Sequence, residues 1–180
     1  MLRRSTHGVV LAVAAILLSP VVAGAAEFHG RLAGTQFDTT LDTNADGYTV
    51  ADIEGTGRFT HLGKMTARGI NEGLEWNGTF CSDTELKLDT AYFHMILSAE
   101  NGDMLFTEQS SVELCWDYVT YAWTATHHFQ ITGGTGKFDG ATGQFDCENA
   151  GIPLLTHLDA PVGYTWECEC SGDLETGDVD

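Results

Sequence analysis

Phe93-His94-Met95-Ile96-Leu97-Ser98-Ala99-Glu100-Asn101-Gly102-Asp103-Met104-Leu105-Phe106 is the stretch on which the fold turns. Its first half alternates: Phe93, Met95 and Leu97 fall on one side of an extended chain, because strand side chains point to opposite faces in turn. Asn101-Gly102 then interrupts the pattern. Asn-Gly readily supplies the two positive-φ positions of a type I′ turn, so the segment predicts a β-hairpin joining Ala91–Glu100 to Asp103–Cys115. Phe93/Met95/Leu97 and Met104/Phe106 are expected to line its inner side.

Outward from this hairpin the same signals repeat. Tyr48–Ile53 and Trp123–Ile131 alternate, Gly143–Asn149 and Val162–Gly172 read as closing strands, and helix signals are scarce. Gly and Asp/Asn clusters punctuate the chain at Asp42–Gly47, Gly55–Gly57, Asn71–Gly73 and Gly133–Gly136. About eight strands with short links specify an all-β chain, either a closed antiparallel barrel or a two-sheet sandwich. The barrel is preferred, because a continuous run of hairpins can close without exposed edges. A small eight-stranded barrel is either filled by side chains or holds one small ligand.

Composition narrows the partners. The chain has 180 residues, 43% of them hydrophobic and 10% aromatic, which suits a packed core rather than an acidic disordered polymer. It carries 26 acidic and only 8 basic residues, a formal charge of −18. Such a surface excludes nucleic acid, whose phosphates are bound by Lys and Arg, and disfavours an anionic membrane.

Arg3 and Arg4, the apolar run Val9–Leu18, and Ala23-Gly24-Ala25 have the layout of a secretory signal peptide. The apolar run is too short to span a bilayer, which requires about 20 residues. Residues 1–25 are therefore expected to be a leader, 26–172 the barrel, and 173–180 an acidic flexible tail, in a protein that is secreted or periplasmic. Removing the leader takes away two arginines and no acid, moving the charge to −20.

All five cysteines (Cys81, Cys115, Cys147, Cys168 and Cys170) lie in the exported part, where disulfides are the default. An odd count leaves one thiol over. Cys168 and Cys170 share a strand face, which suits separate partners better than a bond to each other. The working pairing is Cys81 with Cys115, and Cys147 with Cys168 or Cys170. A soft-metal site at Cys168/Cys170 lacks a second Cys pair at zinc-ligand spacing.

The most distinctive segment is Ile131-Thr132-Gly133-Gly134-Thr135-Gly136-Lys137-Phe138-Asp139-Gly140-Ala141-Thr142-Gly143-Gln144-Phe145. It reads as a strand end, a glycine corner, one short turn over Lys137–Ala141 and a new strand, with Phe138 tucked beneath as a plug. A phosphate loop is excluded, since Ile131 stands where its first glycine belongs and Phe138 replaces the required Ser or Thr. The string Gly133, Gly134, Gly136, Phe138, Gly140, Gly143 resembles the corner of the allene oxide cyclase and dirigent barrel superfamily, especially its exported bacterial members. Gly55–Gly63 is similar to a hairpin of those relatives. The resemblance implies an antiparallel barrel with an apolar interior, which plant relatives use to steer cyclisation of a fatty-acid epoxide or to orient phenoxy radicals. It assigns no functional acid to a position here.

Few residues point to chemistry. Asp42, Asn44 and Asp46, followed by Gly47, match the opening of a calcium loop. The twelfth position is Ile53 rather than a bidentate acid, which favours an Asx-turn hairpin over bound calcium. His127 shares a face with Trp123, Phe129 and Ile131, while His128 points the other way. His94 and Glu108, on the two strands of the hairpin, are candidates to approach the interior beside His127, where burial would shift their pKa values for acid–base work. No nucleophile elbow, zinc-protease motif or Cys/His nucleophile signature is present. Asn77-Gly78-Thr79 has the form of a glycosylation sequon.

Three functions fit this reading. The first is a binding barrel holding a small apolar or amphipathic molecule; the second is a cyclase- or isomerase-like enzyme acting by shape. The third is a filled acidic barrel that binds calcium or a partner on its surface.

Overall fold

The computed structural model describes residues 25–39, 50–157 and 160–177. The candidate calcium loop, Asp42–Gly47, lies outside them, as do residues 1–24 of the expected leader. Eight strands close into one antiparallel barrel: β1 (Ala26–Asp38), β2 (Val50–Phe59), β3 (Gly63–Phe80), β4 (Glu85–Ala99), β5 (Met104–Asp117), β6 (Trp123–Gly134), β7 (Thr142–His157) and β8 (Ala160–Glu175). Each strand pairs with its neighbours in sequence, and β8 returns to β1, so no edge is left unpaired.

The ends of the barrel differ. At the end where β1 starts, the inward side chains fill the interior completely. Phe28, Leu97, Leu105, Phe145 and Leu174 are each no more than 1% exposed. The rings of Phe28, Phe59, Phe93, Phe129 and Phe145 form a continuous ladder, with centroids 4.8 Å apart for Phe28–Phe59 and 5.2 Å apart for Phe28–Phe145, Phe129–Phe145 and Phe93–Phe129. Edge-to-face and offset contacts of this kind suit the ring quadrupole.

The glycine corner seals this end. Gly136–Phe138 make a single 3-10 turn, and Phe138 is fully buried. Gly136 has φ +60, and a Cβ there would strike the Asp103 carboxylate, so both its conformation and its space call for glycine. Lys137 donates from Nζ to the His61 carbonyl and lies over the Phe138 ring, tying the corner to the β2–β3 turn.

Four expectations need correction. The turn at Asn101-Gly102 is not type I′, because Gly102 (φ +90) has a positive φ and Asn101 does not. Gly102 N–H donates to Ala99 and Ala99 N–H to Asp103, which encloses three residues rather than two. Leu97 therefore faces Leu105. That one-residue slip turns β5 over: Leu105 and Thr107 point inward, and Met104 and Phe106 do not.

The same slip places Glu108 on the outside. His94 pairs with it there, alternating with the buried Phe93 and Met95, so neither candidate approaches the interior. Finally, the barrel does not stop at residue 172. β8 runs to Glu175, and Leu174 sits in the closed-end core, because Thr142 and Gly143 continue the β7 ladder opposite it.

Candidate functional site

At the other end the barrel is hollow. A cavity of about 470 Å³ occupies its upper half, within the size range of small-molecule sites. Its floor is made by Phe93, Met95, His127, Phe129 and Trp166, above the closed-end rings. Glycines make room for the aromatic groups: a Cβ on Gly55 would lie 2.7 Å from Trp166 Cη2, so the indole lies against bare backbone.

Irregularities in β5 and its neighbours build the mouth. The pairing of β5 with β6 shifts between Gln109 and Ser111, and beyond that point Leu114 and Trp116 take over the inward direction. Trp116 and Tyr121 stand at the rim with ring centroids 5.6 Å apart, beside Trp123 and Tyr164. Tyr121 holds φ +61, a conformation costly for a residue with a Cβ.

The loop is fixed by Asp117, whose Oδ1 accepts from Val119 and Thr120 N–H at 2.8 and 2.7 Å, and whose Oδ2 accepts from Thr84 Oγ1 at 3.0 Å. These bonds, led by that from Thr120, hold the Asp117 carboxyl below its usual range. Beyond the rim, Leu74, Trp76, Phe80, Ile152, Leu154 and Leu155 form an exposed apolar collar.

Three buried polar groups in the cavity lining matter chemically. His127 is 4% exposed, and its Nδ1 lies 2.6 Å from Gln109 Oε1. An amide oxygen only accepts, so Nδ1 carries the proton and Nε2 presents a lone pair. Burial, with help from the neighbouring His128, pushes the His127 pKa down to about 4, leaving the ring neutral at pH 7. Asn71 Oδ1 and Trp166 Nε1 are buried without a hydrogen-bond partner among the described residues. Each such orphan costs about 1–3 kcal/mol.

Near the mouth Asp38 accepts from Gln36 Nε2 at 3.1 Å. Tyr164 has its pKa raised chiefly by burial and less by the charge of Asp38, against a hydrogen bond with Trp116 that lowers it.

The cysteines pair as Cys81–Cys115 and Cys147–Cys170, leaving Cys168 as a buried thiol that lines the cavity. Burial pushes its pKa up to about 12, so it remains protonated and a poor nucleophile. The sulfurs of Cys147, Cys168 and Cys170 lie within 4.8 Å of one another. With two of them joined, only one thiol remains to act as a ligand, so the oxidised barrel offers no soft-metal site there.

Of the acid–base candidates drawn from sequence, His127 reaches the cavity and His94 and Glu108 do not; of the cysteines, Cys147 and Cys168 line it. Asn71, Asp38, Trp116, Tyr121 and Trp166 line it without belonging to any local motif. Their signal lies in pairing register and loop closure.

No family model matches the chain, and no curated protein does. Among solved structures the chain is similar to a pterocarpan synthase dirigent protein, at 16% identity and a TM-score of 0.40, covering 90% of this chain and 99% of that one. No helix among the described residues is long and apolar enough to cross a membrane.

Proposed function

We propose that this chain is an exported barrel, matured by removal of residues 1–25, that binds one small molecule with a substantial apolar surface in its open half. The observation that carries the reading is the hollow upper barrel, lined by aromatic and aliphatic side chains and open at one end. A cavity of this composition gains about 25 cal/mol for each Å² of apolar ligand surface removed from water. The two disulfides fit an oxidising compartment. A filled barrel acting only through its surface would need a solid core, and the upper half has none.

Catalysis by shape is the second reading, because His127 offers a neutral imidazole to the cavity. A pKa near 4 makes it a weak base at neutral pH, however, and Cys168 is no better as a nucleophile. Binding is therefore preferred.

The test is titration of the purified protein with the uncharged dye Nile red, following quenching of the cavity tryptophans, together with native mass spectrometry of protein from its own host. Saturable one-to-one binding, or a retained small mass, supports the proposal. Absence of both refutes it.

A further inference from the structure

The cavity has a consistent electrostatic sign. Among the described residues its lining includes one carboxylate, Asp38, and no Lys or Arg. Arg31, Arg58, Lys64 and Arg68 are exposed on the outside of the wall, Lys87 alternates with the inward Leu86 and Leu88, and Lys137 sits at the closed end. His127, in the same lining, adds no positive charge at neutral pH and keeps Nε2 as a hydrogen-bond acceptor.

Pairing register sharpens the point. Asp38 faces Ala51, Ala51 faces Asn71, and Asn71 faces Phe93. Asp38 and Asn71, whose Oδ1 is orphaned, thus belong to one cross-strand row on the same face, their Cα atoms about 10 Å apart at two strand spacings and their side chains free to incline toward one another. Only the small Ala51 side chain lies between them. The same lining holds Trp116, Tyr121, Trp123 and Tyr164, whose ring faces attract cations. The strained Tyr121, held by the Asp117 loop, is part of that rim before any ligand arrives.

We infer that the barrel selects an organic cation: an aromatic or aliphatic body on the Phe93/Phe129/Trp166 floor, with a protonated amine between Asp38 and Asn71 beneath the aromatic rim. The ammonium N–H groups donate to the Asp38 carboxylate and to Asn71 Oδ1, relieving the orphan. The rim rings cover the charge. A carboxylate ligand meets the opposite situation, with no cation to pair with and a like charge at the mouth. The formal charge of −18 also concentrates cations around the molecule. This inference rests on the binding reading above and specifies the ligand for the same cavity.

Three probes of one shape separate the two claims. Phenethylammonium, propylbenzene and hydrocinnamate carry a positive, neutral and negative end on the same phenyl body, and each is competed against Nile red at neutral pH. Phenethylammonium should bind roughly tenfold more tightly than propylbenzene, and hydrocinnamate more weakly than either. The preference should shrink as salt is added and disappear in Asp38→Asn. Equal or tighter binding of propylbenzene or hydrocinnamate overturns the cation assignment while leaving the cavity as a binding site. If neither Nile red nor any probe binds and native mass spectrometry shows no retained mass, both proposals fall. Should Asp38→Asn fold poorly, the salt series on unaltered protein decides the same question: a preference for phenethylammonium that salt leaves unchanged overturns the assignment.

Discussion

Acid should weaken this barrel through one buried imidazole. His127 has an ordinary pKa of 6.5 when unfolded and about 4 when folded. The folded state therefore refuses a proton that the unfolded chain accepts. Stability from this group is complete above about pH 6.5 and is lost as pH falls toward 4, because the unfolded state binds more protons throughout that window. A depression of about 2.5 units at 1.36 kcal/mol each bounds the loss at roughly 3 kcal/mol, and by about pH 4.5 some 2.5 kcal/mol of it should be gone.

The total pH profile also includes 26 acidic side chains whose mutual repulsion fades on protonation, so wild-type data alone do not isolate the ring. His127→Phe keeps a flat ring in the Phe93/Phe129 stack and cannot titrate. Urea unfolding of both proteins at about pH 7.5 and 4.5 gives the double difference. Wild type should lose about 2.5 kcal/mol more than His127→Phe between these conditions. Equal losses would refute the assignment of His127 as a buried neutral ring.

Other perturbations probe the fold and cavity separately. Ser at both Cys81 and Cys115 releases a loop with a sequence separation of 34, which by chain entropy costs about 4 kcal/mol; an unchanged urea midpoint would contradict this. Phe138→Ala empties the fully buried plug beneath the glycine corner and should cost about 3–5 kcal/mol in thermal or urea unfolding. Gly55→Ala pushes the Trp166 indole into the hollow, so Nile red affinity should drop and tryptophan emission shift; unchanged binding would mean that the indole does not shape the site. His94→Ala and Glu108→Gln act on the outer wall and should leave dye affinity intact, with stability within about 0.5 kcal/mol of wild type.

Much of the barrel is legible because strand alternation is written locally. Phe93/Met95/Leu97 and Trp123 through Ile131 declare their inner faces within a few residues, and His127 could be placed by that alternation. The hairpin at Asn101-Gly102 shows the limit. Its location is plain, but whether it encloses two residues or three depends on how β4 and β5 settle against the closed-end core. That single residue decides the direction of Glu108 and Leu105. The shift after Gln109, which turns Trp116 inward, leaves no mark in local composition.

Chain order and residue pattern alone thus determined the all-β class, antiparallel neighbours and the glycine corner with its Phe138 plug, and they pointed to the Cys81–Cys115 pair and an interior place for His127. Tertiary structure decided that the cylinder is full at one end and hollow at the other, chose Cys170 over Cys168 as the partner of Cys147, and set Asp38, Ala51 and Asn71 in one row. The reason is one of range. Periodicity and turn chemistry act over two to four residues, whereas a cavity is what remains after eight strands have each fixed their register.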